Sequence, residues 1–222
     1  MNRKLILLND YQIFTCIREF SIDDDRYLSD IELKIWNNEK KFLRNGKNWF
    51  SGRVAAKYVI ADCLNINLEE MKNFHIKNKS NGAPILVTKR KDYLALSISH
   101  CNEIGFACSS KFFKNIGCDI ESVRNRHPKF SSYYLSSSEE KIWTEKIADE
   151  DKDTILTITW SCKEASFKCL TGLMGNSKTI KDIRIYPIVS NFFNFYFIYK
   201  NKKGLGYWSK YKNFIISISV LL

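Results

Sequence analysis

The chain has 222 residues, of which 45% are hydrophobic and 27% charged, a balance that supports a packed core and excludes a wholly disordered protein. Its 3 prolines and 9 glycines exclude collagen-like and linker-rich chains. No apolar stretch is long enough to span a bilayer or to form the core of a signal peptide, so the sequence predicts a soluble, cytoplasmic protein. The formal net charge of +11 predicts an anionic partner.

The seven cysteines are not spaced for metal binding. No pair has C-x-x-C spacing, and the three histidines lie far from any paired cysteine. Because a structural zinc site needs clustered ligands, we expect neither zinc nor a disulfide framework, but buried, reduced thiols.

The first half of the chain predicts helices followed by short strands. Apolar residues at helical spacing predict one helix over residues 31–42 and a stronger one over 49–64, with Asn65 as its C-cap. Residues 81–84 (NGAP) are a turn signal before a strand at 85–87. Further short strands are predicted at 94–99, 104–109 and 116–120.

The second half predicts a similar order of elements. Ser136 and Glu139 have the spacing of a capping box at the start of a helix, and a second helix is predicted over residues 156–170. Strands are then predicted at 183–188, 192–199 and 214–222, with a loop at 201–206.

One segment of the chain is repeated. Residues 54–64 align with residues 160–170 without a gap, and Lys, Cys and Leu coincide in both copies. The repeat predicts an α+β fold of two similar halves, residues 1–112 and 113–222, related by a pseudo-twofold, with a site between them.

Two carboxylates lie two residues apart in the strand predicted at 116–120 and its continuation. Asp119 and Glu121 would face the same side of the strand, because successive side chains alternate. A divalent cation such as Mg²⁺ relieves the repulsion between two such carboxylates, and its usual ligands are one or two carboxylates with substrate phosphate and water. Taken alone, the pair is more often part of a solvated edge strand.

The helix predicted at 156–170 carries a third carboxylate beside a lysine. Glu164 and Lys168 are four residues apart and therefore neighbours on one face, where an ordinary surface ion pair is the simpler interpretation. If Glu164 faced Asp119 and Glu121, the three carboxylates could bind Mg²⁺ while Lys168 and Lys163 met phosphate oxygens. These are the groups that phosphoryl transfer requires.

Ser99 and His100 end a predicted strand, where hydroxyl and imidazole could donate hydrogen bonds to a phosphate, although a lone histidine is more often structural. Neither serine of the segment 97–100 (SISH) lies in a G-x-S-x-G turn, which argues against a hydrolase dyad.

Five segments in this order resemble the 4′-phosphopantetheinyl transferases: residues 52–57 (GRVAAK), 81–84 (NGAP), 97–100 (SISH), 117–121 (GCDIE) and 160–168 (WSCKEASFK). The length and the repeat are similar to the surfactin- and enterobactin-type branch, which is pseudodimeric. The resemblance implies a monomeric enzyme that transfers phosphopantetheine from coenzyme A to a serine of an acidic apo carrier protein, requires Mg²⁺ and releases adenosine 3′,5′-bisphosphate.

The resemblance also implies roles for individual residues. Asp119, Glu121 and Glu164 would hold Mg²⁺ on the pyrophosphate of coenzyme A. Either Glu164 or a water held by Glu121 would take the proton of the carrier serine, and Lys168 would stabilise or protonate the departing phosphate. The residues implied in binding coenzyme A are Arg44, Arg53, Lys57, Ser99, His100 and Lys163. Ala83 departs from the family, because many relatives have a basic residue there that helps to bind coenzyme A.

Two alternatives fit the basic charge and the acidic residues. A metal-dependent nuclease would use acids and a lysine, but usually with both on one strand rather than at helical spacing. A basic nucleic-acid-binding domain would be expected to show a zinc finger, a basic helix or an aromatic strand with interleaved cations, and none is evident.

Overall fold

The computed structural model describes residues 2–8, 11–88, 94–174, 179–188 and 193–222. The chain divides into two compact units, Met1–Ile116 and Gly117–Leu222. This division falls a few residues after the predicted boundary between residues 112 and 113.

The first unit is built from antiparallel strands and one long helix. Its strands and helices are β1 (Asn2–Leu8), β2 (Tyr11–Glu19), α1 (Asp30–Ile35), α2 (Gly46–Leu64), β3 (His75–Asn78), β4 (Pro84–Val87), β5 (Ala95–Cys101) and β6 (Ile104–Ser110). A four-stranded sheet has the order β1-β2-β6-β5, and β3 pairs with β4 in a hairpin. Helix α2 packs against β2, β5 and β6 and forms the centre of the core.

In this unit, the observed helix boundaries agree only in part with those predicted from the sequence. Asn65 ends α2 in the left-handed conformation at φ 53°, which confirms the predicted C-cap. The helix predicted at 31–42 is shorter, because α1 ends at Ile35 and the π-helical segment Trp36–Lys40 follows it.

The second unit has a five-stranded antiparallel sheet and two helices. Its elements are β7 (Ile116–Ser122), α3 (Ser137–Lys146), α4 (Lys152–Leu170), β8 (Arg184–Pro187), β9 (Phe195–Tyr199), β10 (Lys202–Tyr211) and β11 (Phe214–Leu221). The strand order is β7-β11-β10-β9-β8, and α4 packs against β11. The predicted capping box at Ser136 and Glu139 is confirmed at the start of α3.

The prediction of a loop at residues 201–206 is wrong, because strand β10 begins at Lys202. Gly204 and Gly206 pair with Phe197 and Phe195 on β9, and the phenylalanine rings occupy the space where a Cβ would lie, 2.1 and 1.9 Å from it. Glycine at these two positions therefore allows the neighbouring rings to pack against the sheet. The strand predicted at 192–199 is observed from Phe195, and residue 192 lies outside the described residues.

The two units repeat one local arrangement. Helices α2 and α4 both contain 19 residues and coincide from end to end in the gapless alignment of the repeat, which places Lys57 opposite Lys163. Lys57 forms an ion pair with Glu32 at 2.6 Å, and Lys163 forms one with Glu139 at 3.0 Å. Each glutamate is also the third helical residue of a capping box. This recurrence supports the predicted similarity of the halves, while their pseudo-twofold relation stays a prediction.

Two further observations concern the class of protein. All seven cysteines are free thiols, and all except Cys101 are buried. Across the described ranges, no helix combines the length and the apolar character that crossing a bilayer requires.

Candidate active site

Strand β7 approaches helix α4 closely because Gly117 has no side chain. A Cβ at this position would lie 2.0 Å from the Ala165 carbonyl oxygen and 2.5 Å from the Cys169 nitrogen. Any larger residue would push the strand and the helix apart. The close approach brings the carboxylates of β7 next to the polar face of α4.

Asp119 is bound to Lys168 across this contact. The Lys168 Nζ donates to Asp119 Oδ1 at 2.7 Å and to the Cys118 carbonyl oxygen at 3.1 Å. Asp119 is buried, whereas the Lys168 side chain is 29% exposed. Burial alone would lower the pKa of Lys168, but the charges of Asp119 and Glu164 and the hydrogen bond to Asp119 together outweigh it, and the pKa is raised. Lys168 is therefore a permanent cation that solvent can still reach.

Glu121, on the same strand, is held by two donors. Trp160 Nε1 donates to Glu121 Oε1 and Arg126 Nη2 donates to Glu121 Oε2, both at 3.1 Å. The sequence did not identify Arg126 as part of the site. Arg126 lies five residues after Glu121, but Arg124 lies nearby as well, and the sequence does not show which of the two contacts Glu121.

Glu164, on α4, has a pKa raised to about 7. Burial is the main cause, the charge of Asp119 is the second, and Glu121 adds to both, while Lys168 opposes them. Glu164 therefore lies within electrostatic reach of Asp119, Glu121 and Lys168. A carboxylate with a pKa near 7 is suited to accept a proton at neutral pH.

The donor chemistry of these carboxylates fits Mg²⁺. Within the described ranges, no three His, Cys, Asp or Glu side chains form a group that could hold a metal ion. Mg²⁺ usually needs only one or two protein carboxylates, because substrate phosphates and water complete its coordination. The pKa of Glu164 is raised mainly by burial and further by the negative charges of Asp119 and Glu121, and a bound cation would oppose the effect of those charges. A metal site made from Asp119, Glu121 and Glu164 stays a prediction.

We expect the Glu164→Gln variant to be more stable than the unchanged chain above pH 7. The folded protein keeps the Glu164 proton up to about pH 7, whereas the ordinary value for glutamate is 4.5. Folding therefore binds a proton between these two values, and the free energy of unfolding falls as the pH rises from 4.5 to 7. Glutamine does not titrate, so the variant avoids this loss of stability. The melting temperatures of the two proteins should coincide near pH 4, diverge as the pH rises and differ most above pH 7.

The measurement is thermal unfolding in EDTA across this pH range. Glu145→Gln is the matched control, because Glu145 is an exposed glutamate paired with Lys141 on α3. Its melting curve should follow the unchanged chain at every pH. A Glu164→Gln variant that is equally or less stable at pH 8 would contradict the assigned pKa.

The prediction that Lys57 and Lys163 contact phosphate needs correction. Both side chains are fully buried. Lys57 Nζ binds Glu32 and the carbonyl oxygens of Met71 and Phe74. Lys163 Nζ binds Glu139 and the Ile183 carbonyl oxygen. Because their ammonium groups are bound to interior partners, these lysines stabilise the fold and are left out of the proposed site.

The remaining residues implied in binding coenzyme A belong to the first unit. The guanidinium of Arg53 is largely buried, where it donates to the Ile76 carbonyl oxygen and to Asn78 Oδ1. Arg44 lies exposed in the turn before α2, and His100 is exposed on β5 beside the buried Ser99. Only Arg44 and His100 of this group are open to solvent, and their contact with coenzyme A stays a prediction.

The turn predicted at residues 81–84 is present between β3 and β4. The Lys79 amide donates to the Ala83 carbonyl oxygen, and Gly82 has φ 84°. The Ala83 side chain carries no charge, so this turn offers only backbone groups at that position.

Comparison with known proteins identifies the region that contains these residues. Residues 115–219, which are 105 of the 222, match the model of the 4′-phosphopantetheinyl transferase superfamily. No curated protein matches the chain. The branch within the superfamily that the sequence predicted is not identified by this match.

Two solved structures show weaker similarity. The holo-[acyl-carrier-protein] synthase of Thermotoga maritima is 22% identical with a TM-score of 0.39, over 50% of this chain and 64% of that one, less than two thirds of its length. The holo-[acyl-carrier-protein] synthase of Helicobacter pylori in complex with coenzyme A is 23% identical with a TM-score of 0.37, over 48% of this chain and 99% of that one. Scores at this level support no argument by themselves.

The family match covers β7 and α4, and thus all four charged residues gathered there: Asp119, Glu121, Glu164 and Lys168. Residues 115–219 are therefore similar to the 4′-phosphopantetheinyl transferase superfamily, the enzyme class that the motifs predicted.

Proposed function

We propose that the chain transfers 4′-phosphopantetheine from coenzyme A to a serine of an apo carrier protein and releases adenosine 3′,5′-bisphosphate. The observation that carries the proposal is the cluster of Asp119, Glu121, Glu164 and Lys168 on β7 and α4, inside the region that matches the superfamily. Clustered carboxylates can hold a metal cation, and such a cation together with Lys168 would position phosphate groups and neutralise their charge, which accounts for most of the catalysis in phosphoryl transfer.

In this proposal, Glu164 takes the proton of the carrier serine. The serine oxygen forms a bond to the phosphorus that carries pantetheine, and the bond from that phosphorus to the bridging oxygen of the pyrophosphate breaks. The bridging oxygen leaves with adenosine 3′,5′-bisphosphate. Lys168 stabilises the negative charge on this departing phosphate, for which its partly exposed ammonium is suited. A water held by Glu121 is the alternative base.

Asp119, Glu121 and Glu164 would hold Mg²⁺ in the same reaction. When bound, the ion neutralises charge on the pyrophosphate oxygens of the substrate. The oxygen donors of these three side chains are the type that Mg²⁺ prefers.

The charge of the chain supports both proposed partners. A formal net charge of +11 favours encounter with the phosphates of coenzyme A and with an acidic carrier. Arg44 and His100 are the exposed residues that we propose to contact coenzyme A. We further propose that the enzyme acts as a monomer.

Mass spectrometry of an apo carrier protein tests the function. Incubation of the carrier with this protein, coenzyme A and Mg²⁺ should add the mass of one phosphopantetheine, and EDTA should prevent the addition. A carrier whose acceptor serine is replaced by alanine is the control and should gain nothing. Acidic carriers from fatty-acid, polyketide and nonribosomal-peptide synthesis should all be tried, and failure with every one would contradict the proposal.

A further inference from the structure

The carboxylate of Glu121 is fixed by contacts on both of its oxygens. Trp160 Nε1 binds one oxygen and Arg126 Nη2 binds the other. A single donor would leave the plane of the carboxylate free to rotate, whereas two donors on opposite oxygens determine both its position and its plane. Although the Glu121 side chain is 22% exposed, these two contacts hold its carboxylate in one orientation.

Arg126 is itself held by its neighbours. Its side chain is only 8% exposed, and its guanidinium lies over the Phe130 ring at 4.9 Å. Its backbone N–H donates to Asp153 Oδ1 at 3.1 Å, which ties this part of the chain to the first turn of α4. The guanidinium therefore presents Nη2 to Glu121 from a fixed direction.

The second donor is equally well supported. The Trp160 ring packs against Phe130 at 5.3 Å and against Tyr134 at 5.1 Å. The Tyr134 hydroxyl donates to the Leu156 carbonyl oxygen at 2.9 Å, one turn earlier on α4. Phe130 contacts both Arg126 and Trp160, so the two donors to Glu121 belong to a single packed cluster.

The burial of Arg126 also carries a free-energy cost that its packing does not remove. Its Nε atom is buried, and no atom of the described residues accepts a hydrogen bond from it. A buried donor without an acceptor is unfavourable, and a hydrophobic residue packed on Phe130 would avoid this cost. The benefit of arginine at this position therefore lies in what it does to Glu121.

We propose that Arg126 is a positioning residue, which acts through Glu121 and is supported by Trp160. It fixes the Glu121 carboxylate in the orientation required to bind Mg²⁺. The inference rests on the proposed function, since Glu121 is assigned there. Groups that orient metal ligands typically change metal affinity or activity by about 10- to 100-fold when they are removed.

The test compares Arg126→Gln with Arg124→Gln, which removes the same charge from an exposed arginine two residues earlier. The first measurement is the indole N–H signal of Trp160 in a ¹⁵N-labelled protein without ligand. The chain has 5 tryptophans, so the signal is assigned by its loss in Trp160→Phe. Arg126→Gln should move the Trp160 signal and Arg124→Gln should not.

Titration with Mg²⁺ alone, followed by the same signal, is the second measurement. The Mg²⁺ concentration for half of the full shift should rise by about 10- to 100-fold in Arg126→Gln. In the transfer assay, kcat should fall by a similar factor while the KM for coenzyme A stays within about twofold. Arg126→Lys keeps the positive charge and should recover part of both effects. Thermal unfolding shows that each variant is folded.

The outcomes separate the two proposals. If Arg126→Gln equals Arg124→Gln in Mg²⁺ affinity and in kcat, the positioning role is overturned even when the unchanged chain is active. A displaced Trp160 signal with unchanged Mg²⁺ affinity and kcat also overturns it, since the contact would then be only structural. If the unchanged chain transfers no phosphopantetheine but loses Mg²⁺ affinity on Arg126→Gln, the positioning role stands and the transfer function fails.

Discussion

Replacement of Asp119 by asparagine is expected to lower kcat for phosphopantetheine transfer by about 100- to 1,000-fold. Asparagine keeps the size of the side chain and an oxygen that can accept from Lys168, but it removes the negative charge. A metal ion that loses a charged ligand loses much of the several kcal/mol by which it stabilises the transition state, and about 1.4 kcal/mol corresponds to tenfold. The position is buried and directly bound to Lys168, so water replaces the lost charge poorly.

The measurement is the rate at which an apo carrier gains phosphopantetheine, followed by mass spectrometry at saturating coenzyme A. Asp149→Asn is the matched control, because Asp149 is exposed in the turn between α3 and α4 and should retain the full rate. Melting temperatures confirm that both variants are folded. An Asp119→Asn variant with an unchanged kcat would show that the carboxylate has no part in the reaction.

Lys163→Met is expected to lower the free energy of unfolding by about 3–5 kcal/mol. The substitution removes the cation that forms a fully buried ion pair with Glu139 and leaves that carboxylate in the interior. Arg184 also approaches Glu139, at 3.6 Å, but its side chain is about half exposed and compensates in part. Urea denaturation measures the loss, with Lys141→Met as the control, because Lys141 on α3 is 77% exposed and should matter little.

A double variant separates the charge from the packing. Glu139→Gln removes the negative charge and keeps one oxygen, which can accept from Ser136 or from Ile185 but not from both, because the two amides bind different carboxylate oxygens. Lys163→Met combined with Glu139→Gln should therefore be more stable than Lys163→Met alone. If the double variant were the less stable of the two, the cost would come from lost packing and not from an unpaired charge.

The sequence predicted the fold best where the pattern is local. Capping residues and helical periodicity are properties of consecutive residues, and they identified α2, α3 and α4. The start of β10 was missed, because Gly204 and Gly206 are typical of loops, and only the rings of Phe195 and Phe197 on the neighbouring strand give these glycines a place in a sheet.

The same difference between local patterns and contacts of distant residues applies to the site. Strand spacing paired Asp119 with Glu121 and helix spacing paired Glu164 with Lys168, but only the family resemblance joined the two pairs into one site. Lys163 could not be assigned correctly in this way, because its partner Glu139 lies on another helix and the sequence does not show which face of α4 is buried. Arg126 was missed for a related reason, since its role depends on a contact with Glu121 in a segment without periodicity.

The interior pair of Lys163 and Glu139 has a consequence for catalysis. Successive side chains on an α-helix project about 100° apart around its axis, so the direction of one residue sets that of the next. With Lys163 directed inward to Glu139 on α3, rotation of α4 about its own axis is prevented. The directions of Glu164 and of Lys168, one turn later, are then fixed toward β7. A folded variant with a loosened Lys163 would misalign both groups without losing either of them, and its transfer rate would fall.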